Sequence, residues 1–273
     1  GPSARLRVFV EGRIGRRPVA GVGGEKAPMY DTIIIGAGMS GLAAGIRLAH
    51  FEQRVCILER HSAIGGLNSF YGRRGRTYDV GLHAVTNYAP KGTRQGPLAR
   101  LLRQLRLAWE ELSLVPQIGS AIMFPGVTLE FSNDFSLFES EIAREFPKQK
   151  DNFRRLVTAL ADYDQFAQTA SRRSARAVVG ELIDDPLLVE MLFCPVLFYG
   201  GAREHDLDFG QFSILFRSVF LEGLARPLAG IRLILKHLVN KFGQLGGELR
   251  LRAPVHRLIT NRGKVERIVL EDG

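Results

Sequence analysis

Cysteine, tryptophan and long uninterrupted apolar runs are all scarce in this chain of 273 residues, which carries 2 Cys and 1 Trp. Cys56 sits in the apolar run Val55-Cys56-Ile57-Leu58 and Cys194 in Leu192-Phe193-Cys194-Pro195, so neither belongs to a metal-binding pair or a redox couple. Two buried thiols suit a reducing cytoplasm, where the chain is expected to reside. The histidines His50, His61, His83, His205, His237 and His256 have no ligand spacing, and no metal is expected. A secretory signal, an internal repeat, a low-complexity run, a Gly-x-Ser-x-Gly elbow and a Walker-type phosphate loop are all missing. Asp206 and Asp208 beside His205 read as a solvated loop rather than an acid–base group.

The formal net charge is +9. Residues 1–28 hold six Lys/Arg (Arg5, Arg7, Arg13, Arg16, Arg17, Lys26) against Glu11 and Glu25, with frequent Gly and Pro, a composition that buries no core. They are expected to be a basic disordered tail or upstream sequence ahead of Met29. Elsewhere the cations alternate with apolar residues at helical spacing instead of clustering with aromatics, which argues against a nucleic-acid partner. Apolar faces rimmed by cations suit peripheral contact with an anionic membrane. The best candidate runs from Gln211 to His237, where Arg217, Arg226, Pro227, Gly230, Arg232 and Lys236 exclude a comfortable spanning helix. The competing reading of the same stretch is two core helices lining a substrate tunnel.

What is present is a glycine fingerprint in a strand-to-helix setting. Ile33-Ile34-Ile35 reads as a buried parallel strand that feeds into Gly36-Ala37-Gly38-Met39-Ser40-Gly41 and then a helix. In such a turn the first glycine permits the tight bend, the second lets backbone approach a pyrophosphate, and the third lets the helix pack on the strand. The helix N-terminus presents unpaired N–H groups and a positive dipole end to the phosphates. A second strand, Val55–Leu58, ends in Glu59, placed to accept the ribose hydroxyls of an adenosine and to repel a 2′-phosphate. Gly65-Gly66 follows.

Gly36-x-Gly38-x-x-Gly41-Leu42-Ala43-Ala44, Glu59-Arg60 and Gly65-Gly66 together resemble the N-terminal signature of the FAD-dependent family that holds amine oxidases, phytoene desaturases and carotenoid isomerases. Tyr78-Asp79-Val80-Gly81-Leu82-His83 resembles the strand and turn that bring backbone beneath the flavin in phytoene desaturase relatives. Leu82-His83 stands where those desaturases carry proline after the glycine, and Leu67 where many relatives have arginine. The first of these departures is closer to carotenoid isomerases and retinol saturases. Near the C-terminus, Gly246-Gly247-Glu248-Leu249 and the hairpin running to Gly273 resemble the family's return to its nucleotide domain.

The resemblance implies an α/β fold: an FAD/NAD(P)-binding Rossmann-like domain with an inserted, mostly helical substrate domain, truncated at the C-terminus. The implied division is 29–95 for the first part of the FAD domain, 96–250 for the helical region and 251–273 for the return hairpin. It places Gly36, Ala37, Gly38, Met39, Ser40, Gly41, Glu59, Arg60, Gly65, Gly66, Leu67, Asn68, Gly81, Leu82 and Val255 at the cofactor. The backbone of Val255 would meet the adenine edge. His83 would either sit near the flavin ring, where it tunes or protonates it, or be a buried histidine bonded to backbone. The implied activity is hydride transfer from an apolar polyene or isoprenoid to flavin N5. An amine oxidase, a reduced-flavin carotenoid isomerase and an inactive FAD-binding fragment are the alternatives. Because relatives run much longer, the chain is expected to be the N-terminal part of a longer reading frame.

Three local expectations complete the reading. Leu98, Leu101, Leu102 and Leu105 predict one helix, as do Phe153, Leu156, Val157, Leu160 and Tyr163, while Asp184-Asp185-Pro186 opens another. Pro125-Gly126 predicts a short hairpin. Glu52 stands where relatives commonly place glycine after the first helix, a left-handed position that favours glycine by about 1 kcal/mol.

Overall fold

A computed structural model describes residues 29–81, 84–163, 173–198 and 204–271, and the backbone of 9–11. The chain divides into two compact units, one of residues 1–83, 100–113 and 227–273 and the other of residues 84–99 and 114–226.

The first unit is built on a parallel sheet in which Val55–Leu58 lies between Thr32–Ile35 and Glu248–Arg250, with Cys56 opposite both Ile33 and Glu248. The central strand is buried at every position, as expected for a continuous apolar run covered on both faces. One face is covered by the helix Met39–Ala49, whose Leu42, Gly45, Ile46 and Ala49 recur at helical spacing and are buried. The helix Ile231–Gln244 joins it with Ile231, Ile234, Leu235, Leu238 and Phe242 buried. These two helices meet closely at Gly45, where an added Cβ would stand 3.0 Å from both Ile57 and the Phe242 ring. On the other face, Cys56 and Leu58 pack with Tyr30, Ala253, Ile268 and Leu270, the last two from the antiparallel hairpin Val255–Asn261/Lys264–Leu270.

A polar cluster lies under the same sheet. Arg250 Nη2 donates to the Tyr30 hydroxyl at 2.9 Å and Arg250 Nε to Glu248 at 2.6 Å, while the Tyr30 hydroxyl donates to Glu248. Burial, then the Glu248 hydrogen bond, push the Tyr30 hydroxyl above its ordinary range. Burial and the nearby Glu248 carboxylate push the Cys56 thiol up to about 11, which keeps it protonated and unreactive.

The strand Phe9–Glu11 pairs parallel with Lys264–Leu270 at Arg267, Ile268 and Val269. Phe9, Val10 and Glu11 fall within the 1–28 stretch expected to be a basic disordered tail or upstream sequence, and the structure places their backbone at a sheet edge.

The second unit has a phenylalanine-rich core. Phe138 stacks on Phe220 at 4.6 Å with an interplanar angle of 3°. Phe131, Phe153, Phe193, Phe212 and Phe216 pack in the same cluster. Phe135–Glu145, Lys150–Ala161 and Pro186–Leu197 are helices, the last capped by Asp185, whose side chain accepts from the Leu187 and Leu188 N–H groups. The hairpin Ser120–Phe124/Val127–Phe131 turns at Pro125-Gly126. Asp208 caps the helix Phe209–Phe216 and Asp206 accepts from the Arg176 N–H, so both carboxylates have structural partners.

The helical stretch expected over 96–250 is interrupted earlier than its sequence suggests. Residues 227–250 belong to the first unit, because the helix Ile231–Gln244 packs on Met39–Ala49 and Glu248–Arg250 completes the parallel sheet. The Gln211–His237 stretch likewise splits. Phe212, Phe216, Val219 and Phe220 are buried in the second unit and Ile231, Ile234 and Leu235 in the first, so these side chains form cores rather than a membrane face. Amphipathic core helices and amphipathic surface helices carry the same periodicity, and only packing separates them. No helix among the described residues is long and apolar enough to cross a membrane.

Two stability outcomes follow from backbone geometry. Glu52 has φ +61°, and Glu52→Gly is expected to raise unfolding stability in urea by about 1 kcal/mol. A Cβ on Gly41 would lie 2.1 Å from the Gly36 carbonyl oxygen, so Gly41→Ala is expected to lower stability in the same experiment by about 1–3 kcal/mol.

Candidate functional site

The sheet delivers three chain segments to one place. The turn Gly36–Gly38 leaves the strand Thr32–Ile35 for the helix Met39–Ala49, Glu59 leaves the neighbouring strand, and Gly65-Gly66 returns to the turn from beyond it. Ala37, fully buried, joins all three. Its N–H donates to Glu59 Oε2 at 2.8 Å, and its carbonyl accepts from the Gly65 N–H at 2.9 Å. Gly38 and Gly65 form an isolated parallel bridge. The tight turns are made at φ +103° by Gly36 and φ +110° by Gly65, values that an L side chain rarely adopts.

The fingerprint glycines do different jobs. Gly41 carries the close helix–loop contact. At Gly36 and Gly38 an added Cβ meets nothing within 4 Å, so both face open space. Gly38 also sits at the N-cap of the helix Met39–Ala49 with no side chain bonded to the first turn and no acid in that turn. The leading N–H groups of a helix have no partner within it, so Met39, Ser40 and Gly41 offer donors beside that open space.

This space is part of a groove of about 440 Å³, within the range of small-molecule sites. It is lined by Ile35, Gly36, Gly38, Leu58, Glu59, Arg60, His61, Gly66, Ala253, Pro254, Val255 and Glu271. Glu59 is 6% exposed. Its Oε1 accepts the His61 N–H at 2.9 Å while Oε2 holds Ala37, and each oxygen keeps a lone pair for a further donor.

The remaining candidate residues adjoin the cradle. Leu67 is 85% exposed and Asn68 half-buried. A Cβ on Gly81 would stand 2.0 Å from the Leu67 carbonyl oxygen, so only glycine lets that turn cross the segment after the doublet. Leu82 and His83 lie outside the described residues.

Ile35, Leu58, His61, Ala253, Pro254 and Glu271 were not singled out from the sequence. His61 could have been found from its position two residues beyond Glu59. Glu271 could have been found by counting back from the Arg262-Gly263 turn, since the register pairs Val255 with Leu270 and brings the Glu271 N–H to the Pro254 carbonyl at 3.0 Å. Ile35 was expected to be buried at a strand end. It is 56% exposed and forms apolar wall in the groove. Among the described residues no group of acids, histidines and cysteines could hold a metal ion.

The open backbone at Gly36 and Gly38, the uncapped helix end and a carboxylate at the next strand's tip fit the pyrophosphate and ribose of a dinucleotide. Comparison with known proteins agrees. Residues 39–273 match the model of the family described as flavin containing amine oxidoreductase. The prolycopene isomerase of Arabidopsis thaliana is 24% identical over 282 residues, covering 92% of this chain and 46% of that protein. The lycopene-forming phytoene desaturase of Pseudescherichia vulneris is 25% identical over 279 residues, covering 90% and 53%. The crystal structure of an oxidoreductase from Methanosarcina mazei shares the fold with a TM-score of 0.65 and 20% identity, over 88% of this chain and 56% of that one. The chain spans about half the length of the curated relatives it matches. With most of its length matched by the family model and a glycine cradle that suits a dinucleotide, the chain belongs to the flavin containing amine oxidoreductase family, whose cofactor is FAD.

Proposed function

We propose that this chain supplies the nucleotide-binding part of an FAD-dependent oxidoreductase of the phytoene desaturase-like branch, acting on an apolar polyene or isoprenoid. The observation that carries the reading is the groove over Gly36 and Gly38. In this reading Gly36, Gly38 and the N–H groups of Met39 and Ser40 hold the pyrophosphate, and Gly66 keeps the opposite wall low. Glu59 accepts the ribose hydroxyls and the Val255 backbone meets the adenine edge. Arg60 flanks the same groove, while Leu67, Asn68 and Gly81 carry the chain onward toward the flavin ring.

FAD supplies the hydride acceptor at its N5. The chain's own contribution is binding, orientation and exclusion of water. The polyene class rests on the named desaturase and isomerase relatives. A second reading, a carotenoid isomerase working with reduced flavin, is favoured by Leu82-His83 in place of the desaturase proline. An isomerase converts polyene geometry with no net oxidation, so product analysis separates the two. An amine oxidase needs instead a pocket for a polar amine. Peripheral association with a membrane would give a long hydrocarbon a route to such a site.

Two variants test the cradle. Gly38→Val projects into open space, so the FAD-free chain is expected to unfold at the wild-type urea midpoint while the flavin absorbance that co-elutes with wild type is lost. Retained flavin with a valine at this position would sink the assignment. Glu59→Ala removes the ribose acceptor and also strands the Ala37 N–H. It is expected to weaken FAD in an equilibrium titration, by about 1.5–3 kcal/mol for each ribose hydrogen bond lost, and to lower FAD-free stability by about 1–3 kcal/mol. A variant unchanged in both would mean that the carboxylate merely caps a turn.

A further inference from the structure

Residues 70–79 form a two-stranded hairpin of which the cofactor reading uses only the Tyr78-Asp79 end, as the lead into Gly81. Phe70–Arg73 pairs with Arg76–Asp79, with Tyr71 opposite Tyr78 and Arg73 opposite Arg76. The turn is made by Arg74 and Gly75, both at positive φ (+51° and +73°). Alternation along a strand puts Tyr71, Arg73, Arg76 and Tyr78 on one face. The two tyrosine rings stack at 5.3 Å with an interplanar angle of 17°. Together with Arg74 these residues line an open concavity of about 600 Å³.

The charge arrangement is unfavourable as it stands. Like charges directly opposite on an antiparallel pair repel, and Arg73 and Arg76 are so placed with a third arginine between them. Other arginines in the chain are neutralised, as in Arg54–Asp31, Arg144–Glu141, Arg176–Glu190 and Arg250–Glu248. Arg73, Arg74 and Arg76 are exposed and form no ion pair among the described residues. The opposite face of the hairpin is anchored. Arg232 sits 5.4 Å from the Phe70 ring centroid and 3.6 Å from Asp79, which fastens the base of the hairpin to the helix Ile231–Gln244 and leaves the tip free to project.

We propose that this tip is a docking element for the phosphate headgroups of an anionic membrane leaflet. The three guanidinium groups match phosphate in charge and in planar, bidentate geometry. The stacked tyrosines are the residue type that settles at the boundary between headgroups and acyl chains. Exposed Val80, two residues beyond Tyr78, adds apolar surface for the same boundary. A +9 chain adds long-range attraction to a negative surface. The element works whether or not the groove holds FAD, so its test is separate from that of the proposed function.

The experiment is co-sedimentation of the full chain with vesicles of phosphatidylcholine alone and of phosphatidylcholine mixed with phosphatidylglycerol, with and without FAD. Binding is expected only to the phosphatidylglycerol vesicles, is expected to weaken as salt rises, and should be indifferent to FAD. Replacing Arg73→Gln, Arg74→Gln and Arg76→Gln together is expected to lower the partition coefficient by roughly 100-fold, and Arg74→Gln alone by roughly fivefold, with circular dichroism unchanged. Equal binding to both vesicle types, binding to neither, or phosphatidylglycerol binding that survives the triple change would overturn the proposal. So would a response of the tyrosine fluorescence to inorganic phosphate at constant ionic strength in a chain that ignores vesicles, which would make the tip a site for a free anion.

Discussion

The peptide unit of Ala37 is the point on which the site depends. Its N–H is held by the Glu59 carboxylate and its carbonyl by the Gly65 N–H, so both polar groups of a fully buried residue are satisfied by two other chain segments. With Ala37 fixed in this way, Gly36 and Gly38 on either side face the groove and put no side chain into it. The parallel sheet makes this possible, because the alignment of Ile35 with Leu58 sets the glycine loop level with Glu59. Glu59 thereby acquires two tasks, one in shaping the loop and one in facing the groove.

Much of this cradle was legible in the sequence because its parts are local backbone demands. A glycine at a left-handed turn, a glycine under a helix and an acid at a strand tip each announce themselves by residue type and spacing. Glu52 is the same kind of signal in negative: the position commonly filled by glycine is left-handed here at φ +61°, as its place after the first helix implied. The double role of Glu59 was not legible, since it requires knowing which N–H the sheet brings to the carboxylate. Glu271 was hidden for a related reason, as its place depends on the register of a hairpin.

Packing decided what periodicity left open. From Gln211 to His237 the apolar residues recur as they would on either a membrane face or a core helix. The structure buries Phe212, Phe216 and Phe220 in one unit and Ile234 and Leu235 in the other. The helix Ile231–Gln244 proves integral to the nucleotide-binding unit. Leu235 lies against Gly65, Phe242 against Gly45 and Gly247, and an added Cβ at any of the three would strike it. The glycine doublet is therefore constrained from beneath as well as from the groove. The tyrosine–arginine face of the 70–79 hairpin is not legible in the sequence, because only the register shows that Tyr71 faces Tyr78 and Arg73 faces Arg76.

The most direct measurement of the central claim is an amide-resolved NMR titration of the chain with ADP and, separately, with riboflavin. ADP carries the pyrophosphate and ribose proposed for the cradle, and riboflavin carries neither. Shifts at Gly36, Gly38, Met39, Ser40, His61 and Gly66 with ADP, and none there with riboflavin, are the expected result. Shifts confined to other residues, or a response to riboflavin alone, would show that the Ala37-centred loop is not the dinucleotide site.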